Sequence, residues 1–257
     1  MARFFLIFFL GDMQVADYNL LYNSLSFAIA TFGASTVFFF CQRSQVAPAY
    51  KTSLTLAGLV CLIALYHYLR IFESFNDAYI FQDGLVEETG GQLNVSYRYV
   101  GWLLTVPLLL LELVLVIRLT REETFSVGTK LTVAAIIMVL LGYSGEVLVD
   151  TNQIQERWIY WSLAMLPFLY ILYYLIIKLK NPLLKQPKNV RSLVSNARWL
   201  LILSWAIYPV VYLLPIFDPT TSYINLQVGY TLADILSLAL FGVMIYLIAQ
   251  RKSDIGA

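Results

Sequence analysis

Seven apolar stretches, each long enough to cross a lipid bilayer, divide this chain, and short charged or turn-forming segments separate them. They run Tyr18 to Cys41, Thr52 to Phe72, Tyr97 to Leu119, Gly128 to Val149, Trp158 to Lys180, Arg198 to Phe217 and Leu226 to Gln250. A helix crossing the hydrocarbon needs roughly 20 mainly apolar residues, whereas a barrel strand needs about 10. Inside lipid every backbone polar group must be satisfied within the protein, so stretches of this length read as helices. With 60% hydrophobic and 13% charged residues over 257 positions, the composition excludes a soluble globular domain. The predicted fold is an all-α membrane protein, a seven-transmembrane-helix bundle forming a single domain over residues 1–257.

Charge in the connections sets the predicted orientation. Arg43 and Lys51, Arg118 and Arg121, the run Lys178, Lys180, Lys185, Lys188 and Arg191, and the tail with Arg251 and Lys252 lie at one set of ends. The alternate connections carry Glu73, Asp77, Asp83, Glu87 and Glu88, then Glu146, Asp150 and Glu156, then Asp218. Basic loops stay cytoplasmic, so the N-terminus is expected outside and the C-terminus inside. The opening MARFFLIFFLGDMQ (residues 1–14) is too short to span and fits either a cleaved signal or a surface segment. Between the second and third stretches, DGLVEETGGQ holds two glycine-containing turns and predicts an external β-hairpin. Cys41 and Cys61 fall within helices as small packing groups, with no disulfide or metal site expected. Nothing in the sequence predicts a nucleic-acid partner.

Ionisable groups inside a bilayer cost roughly 2.5–3.5 kcal/mol each on insertion scales, so the few present here are functional candidates. They are His67, Arg98, Glu112 and Asp234. On the third stretch Arg98, Gly101, Thr105 and Glu112 recur at helical spacing and share one face, expected to point into the bundle. Read singly, Arg98 and Glu112 would lie near the two ends of the third helix and reach water, and His67 would be a hydrogen-bonded packing residue. Asp234, inside the last stretch, needs a partner, and Arg98 is the nearest candidate. Trp102, Trp161, Trp205, Tyr208, Tyr212 and Tyr230 lie near the same level and together would wall a flat slot for a planar apolar ligand. One histidine and two core carboxylates supply neither a nucleophile–base pair nor a metal-ligand cluster, so no enzyme activity is expected.

The segments RYVGWLLTVPLLLLEL, MVLLGYSGE, WAIYPVVYLLP and LADILSLALFG resemble the third, fourth, sixth and seventh helices of the microbial (type 1) rhodopsins. YHYLR around His67 and the glutamate at 112 are most similar to the proteorhodopsin and xanthorhodopsin branch. In that family retinal is held as a Schiff base on a seventh-helix lysine, a third-helix aspartate accepts its proton, and a carboxylate further along returns one. Carried over, the resemblance implies that Arg98 is the external arginine, Glu112 the proton donor and Asp234 the second counterion. It places Trp102, Thr105, Met138, Gly142, Trp161, Trp205, Tyr208, Pro209 and Tyr212 around retinal. Two positions depart from the pattern: the acceptor aspartate is Gly101, and the retinal lysine is Leu238.

The departures imply a lysine-less member without covalent retinal and without light-driven proton pumping, since none of the seven lysines falls within an apolar stretch away from its ends. Losing the lysine cation together with the aspartate anion removes a buried ion pair whole, which a folded bundle tolerates. A carotenoid antenna of the xanthorhodopsin kind is disfavoured, because Trp161 stands where those members have a glycine. The leading expectation is a protein that acts by association in the bilayer, as a homo-oligomer (pentamer or trimer) or with a retinal-binding rhodopsin whose output it alters. The alternatives are a noncovalent carrier or sensor of retinal, carotenoid or lipid, and a light-independent proton or ion pathway through His67, Arg98, Thr105, Glu112 and Asp234.

Overall fold

A computed structural model describes residues 13–149, 153–217 and 222–256. The N-terminal segment before Met13, and Asp150 and Asp218 of the acidic connections, lie outside the described residues. The described chain is almost entirely helical: α1 (Val15–Gln42), α2 (Lys51–Ala78), α3 (Ser96–Ile117), α4 (Arg121–Tyr143), α5 (Ile154–Tyr173), α6 (Lys180–Leu184), α7 (Lys188–Phe217), α8 (Ser222–Asp234) and α9 (Phe241–Asp254). A π-helical turn, Ile235–Leu240, joins α8 to α9 in one continuous rod. Seven helical runs are long and apolar enough to cross a membrane. Successive runs are neighbours, and the last packs against the first, second, third and sixth, closing the bundle.

The fourth helix begins earlier than hydropathy suggests, for reasons of capping. α4 starts at Arg121 rather than near Gly128, because Thr120 and Glu123 form a capping box that satisfies free N–H groups of the first turn. That places Lys130 within the helix, exposed on its outer face, and not at its end. The fourth run then continues through a π turn, Ser144–Leu148, so Glu146 is carried into the bundle and buried. Its assignment to an acidic external connection is therefore corrected: an apolar-run boundary drawn near Val149 cannot show that the preceding turn faces inward. α3 ends where Arg118 turns left-handed with φ 61°. Lys252 Nζ donates to the carbonyls of Val116 (2.9 Å) and Ile117 (3.3 Å), closing the exposed end of α3.

The expected hairpin is present as β1 (Tyr79–Gln82) and β2 (Leu85–Glu88), antiparallel, with Tyr79 opposite Glu88 and Gln82 opposite Leu85. Asp83 and Gly84 make its two-residue turn with φ of 54° and 80°, the conformation for which Asp-Gly is favoured. The hairpin marks one end of the bundle, and the C-terminal tail marks the other. Of the two cysteines, Cys61 is buried in the packing and Cys41 is exposed.

Candidate functional site: an aromatic cavity beside a buried ion pair

Asp234 ends α8 after 13 helical residues, deeper than its sequence position suggested. Its carboxylate accepts four hydrogen bonds. Oδ2 takes Arg98 Nη1 at 3.1 Å and the Tyr68 hydroxyl at 2.7 Å, and Oδ1 takes Trp102 Nε1 at 2.7 Å and the Tyr208 hydroxyl at 2.6 Å. Arg98 also donates to Tyr68 (2.6 Å), to Gln227 Oε1 (3.1 Å) and to Thr231 Oγ1 (3.5 Å). Its guanidinium lies over the rings of Tyr68 and Tyr230, 5.1 and 5.7 Å from their centroids. Both ionic side chains are 2% exposed. An ion pair so deeply withdrawn from water persists only when its remaining donors and acceptors are met, and here the surrounding tyrosines, tryptophan and amide meet all but Arg98 Nε.

The polar face of α3 points inward along its length: Arg98, Gly101, Thr105 and Glu112 are all buried. The alternative, that Arg98 and Glu112 reach water at the helix ends, is overturned, since they are 3% and 0% exposed. Both lie on the face of α3 that packs against the other helices, while Val100 and Leu104 occupy its exposed outer face. Gly101 is packed by His67: a Cβ there would stand 3.3 Å from the imidazole Cγ and Cδ2. His67 is buried, and its Nδ1 has no partner among the described residues. Thr105 Oγ1 and both carboxyl oxygens of Glu112 likewise find no partner among the described residues. The structure thus gathers Arg98 and Asp234 into one network, and leaves His67, Thr105 and Glu112 as separate buried polar groups.

Immediately beside the ion pair is an internal cavity of about 110 Å³. Trp102, Met138, Gly142, Trp161, Trp205, Tyr208, Pro209 and Tyr212, drawn from α3, α4, α5 and α7, all line it, as does Tyr230. Leu238 lines it too, next to Ser237, and is 3% exposed. Both belong to the π turn, a local widening of the helix that recurs at functional sites. Trp161 is fixed by its indole N–H, which donates to the Pro209 carbonyl at 3.0 Å. No lysine is among the lining residues. The amine of Lys252 is turned to the α3 carbonyls at the tail end, and Lys130, Lys178, Lys180, Lys185 and Lys188 are exposed.

A third buried carboxyl group, Glu146, has no counterpart among the candidates that the sequence offered. Glu146 Oε2 accepts the Tyr99 hydroxyl at 2.6 Å and the Tyr230 hydroxyl at 2.7 Å, and both rings line the cavity. Tyr99, Glu146 and Tyr230 come from three different helices, so no local pattern joins them. The only sequence signal was the pair of tyrosines flanking Arg98 and preceding Thr231. Tyr68, Gln227 and Ser237 were missed for the same reason.

Seven membrane-crossing helices around an aromatic cavity, with a buried arginine–aspartate pair close behind its wall, define an integral multi-pass membrane protein built around an apolar chamber. The family model for bacteriorhodopsin-like proteins matches residues 19–251, and the chain belongs to that family. The green-light absorbing proteorhodopsin of Gamma-proteobacterium EBAC31A08 is 34% identical over 248 residues, covering 95% of this chain and 91% of the relative. The blue-light absorbing proteorhodopsin of Gamma-proteobacterium Hot 75m4 is 32% identical at the same coverage. The solved structure of xanthorhodopsin, described as a light-driven ion pump with dual chromophore, superposes with a TM-score of 0.91 at 42% identity over 96% of this chain and 98% of that one. A thermophilic rhodopsin gives the same TM-score and identity over 96% of this chain and 99% of its own. These relatives place the chain on the proteorhodopsin and xanthorhodopsin branch, in a bacterial-type cell membrane.

Proposed function

We propose that this chain is a non-photochemical member of its family: it forms no retinal Schiff base, does not pump protons by light, and acts through association in the membrane. The observation that carries this reading is Leu238 on the cavity wall with no amine among the lining side chains. A Schiff base forms only on a lysine nitrogen that reaches the aldehyde, so the aromatic walls suit a planar polyene but the cavity offers it no covalent anchor. Gly101, filled by His67 in place of a carboxylate, removes the proton acceptor as well. Asp234 is nonetheless fully engaged by four donors, which supports a bundle kept as a well-packed scaffold. In this reading the scaffold assembles with itself, as a pentamer or trimer, or with a retinal-binding rhodopsin, and its basic helix ends face the cytoplasm with the N-terminus outside.

The first test is an absorption spectrum of the purified protein incubated with all-trans-retinal, before and after hydroxylamine. The expected result is no red-shifted visible band. A band bleached by hydroxylamine defeats the proposal. Co-expression with a tagged proteorhodopsin tests the association: the expected result is co-purification in one assembly, and a protein that is monomeric and recovered alone removes that half of the reading.

A second reading is favoured by the cavity itself. Its aromatic lining persists around Leu238, and such a chamber suits noncovalent retention of a polyene or another planar apolar molecule. A stoichiometric polyene in an organic extract of the purified protein is the expected sign of it.

A further inference from the structure

The hydrogens on the cavity wall can be assigned one by one. Tyr208 has a single hydroxyl proton and two oxygen neighbours, Asp234 Oδ1 at 2.6 Å and Ser237 Oγ at 2.9 Å. Asp234, ion-paired with Arg98, only accepts, so the Tyr208 proton lies toward Asp234. Ser237 must then donate its own proton to the Tyr208 oxygen. That leaves Ser237 Oγ, on the cavity wall beside Leu238, with lone pairs and no hydrogen to offer.

The rest of the lining is committed in the same sense. Tyr99 and Tyr230 donate to Glu146, Tyr212 to the Arg157 carbonyl at 3.3 Å, Trp102 to Asp234 and Trp161 to the Pro209 carbonyl. Among the described lining side chains, only the Trp205 indole N–H has no hydrogen bond. Beside Leu238, therefore, Ser237 Oγ offers an acceptor, and the Trp205 N–H is the one uncommitted donor of the described lining.

From this we infer that the cavity selects a lipophilic alcohol, a polyene or isoprenoid chain ending in a hydroxyl, which donates its proton to Ser237 Oγ, over the aldehyde of the same skeleton. An aldehyde has no hydrogen to give Ser237 Oγ, and Leu238 gives its carbon nothing to condense with. A protonated amine would donate well but would bring a charge into an apolar aromatic lining, where Asp234 is already paired with Arg98 and Glu146 is held by two phenols. This inference rests on the second reading above, that the cavity holds a noncovalent ligand.

The test uses the full chain in nanodiscs, titrated separately with all-trans-retinol and all-trans-retinal while tryptophan fluorescence is followed, because three tryptophans line the cavity. Retinol is expected to bind about tenfold or more tightly than retinal. Ser237→Ala is expected to bring retinol affinity down to that of retinal and leave retinal affinity unchanged, which also shows that the variant is folded. Equal affinities in the parent protein, or tighter retinal binding, overturn the alcohol preference while leaving a ligand-holding cavity in place. Binding of neither molecule overturns the ligand reading itself, and this inference with it.

Discussion

Arg98 and Asp234 meet 3.1 Å apart in the centre of the bundle, at side-chain exposures of 2% each, although 136 residues separate them in sequence. Breaking a buried pair by removing one partner costs about 3–5 kcal/mol, because the other charge stays buried without compensation. Asp234→Ala is therefore expected to destabilise the bundle by about that amount in thermal or denaturant unfolding in detergent. An Arg98→Met, Asp234→Leu double variant is expected to lose less than the sum of its two single changes. Strict additivity would show that the pair is not coupled.

Leu238 follows Asp234 by one helical turn and lines the cavity with it close behind the wall. Leu238→Lys puts an amine where the aromatic walls already suit a polyene, and the substitution is expected to yield a visible, hydroxylamine-sensitive pigment when retinal is supplied. A colourless, folded Leu238→Lys protein would mean that the cavity has lost more than its lysine.

Glu146 holds two phenols through a single oxygen, at 2.6 and 2.7 Å. A buried donor left without its acceptor costs about 1–3 kcal/mol. Glu146→Leu is expected to lose stability on that scale for each tyrosine, whereas Glu146→Gln, which keeps a carbonyl oxygen to accept, is expected to lose clearly less. Differential scanning calorimetry of the two variants side by side measures the contrast.

Two glycines are expected to respond oppositely to alanine. At Gly242 a Cβ would stand 2.6 Å from Phe39 Cζ of α1, so Gly242→Ala must displace a fully buried ring and is expected to cost about 1–3 kcal/mol despite a better helix former. At Gly101 the nearest atoms are those of His67 at 3.3 Å, a side chain held by no hydrogen bond at Nδ1. There the gain in helix propensity, about 1 kcal/mol, offsets the tighter contact, and Gly101→Ala is expected to melt within a few degrees of the parent protein.

The sequence by itself determined the seven spans, the hairpin and the inward face of α3, because each is written in local periodicity: runs near 20 apolar residues, an Asp-Gly turn, polar groups three and four residues apart. It also placed Leu238 and Gly101, since a motif match needs only order along the chain. Tertiary structure alone decided the fate of Glu146, which composition assigned to a loop and the π turn of the fourth span buried against Tyr99 and Tyr230. It alone showed that His67 fills the space above Gly101, and that Tyr208 and Ser237 hand their protons toward Asp234. Hydropathy averages over a turn of helix and carries no record of which neighbour a side chain meets. Hydrogen-bond sense depends on two or three atoms brought together from helices distant in sequence, so it exists only once the bundle has closed.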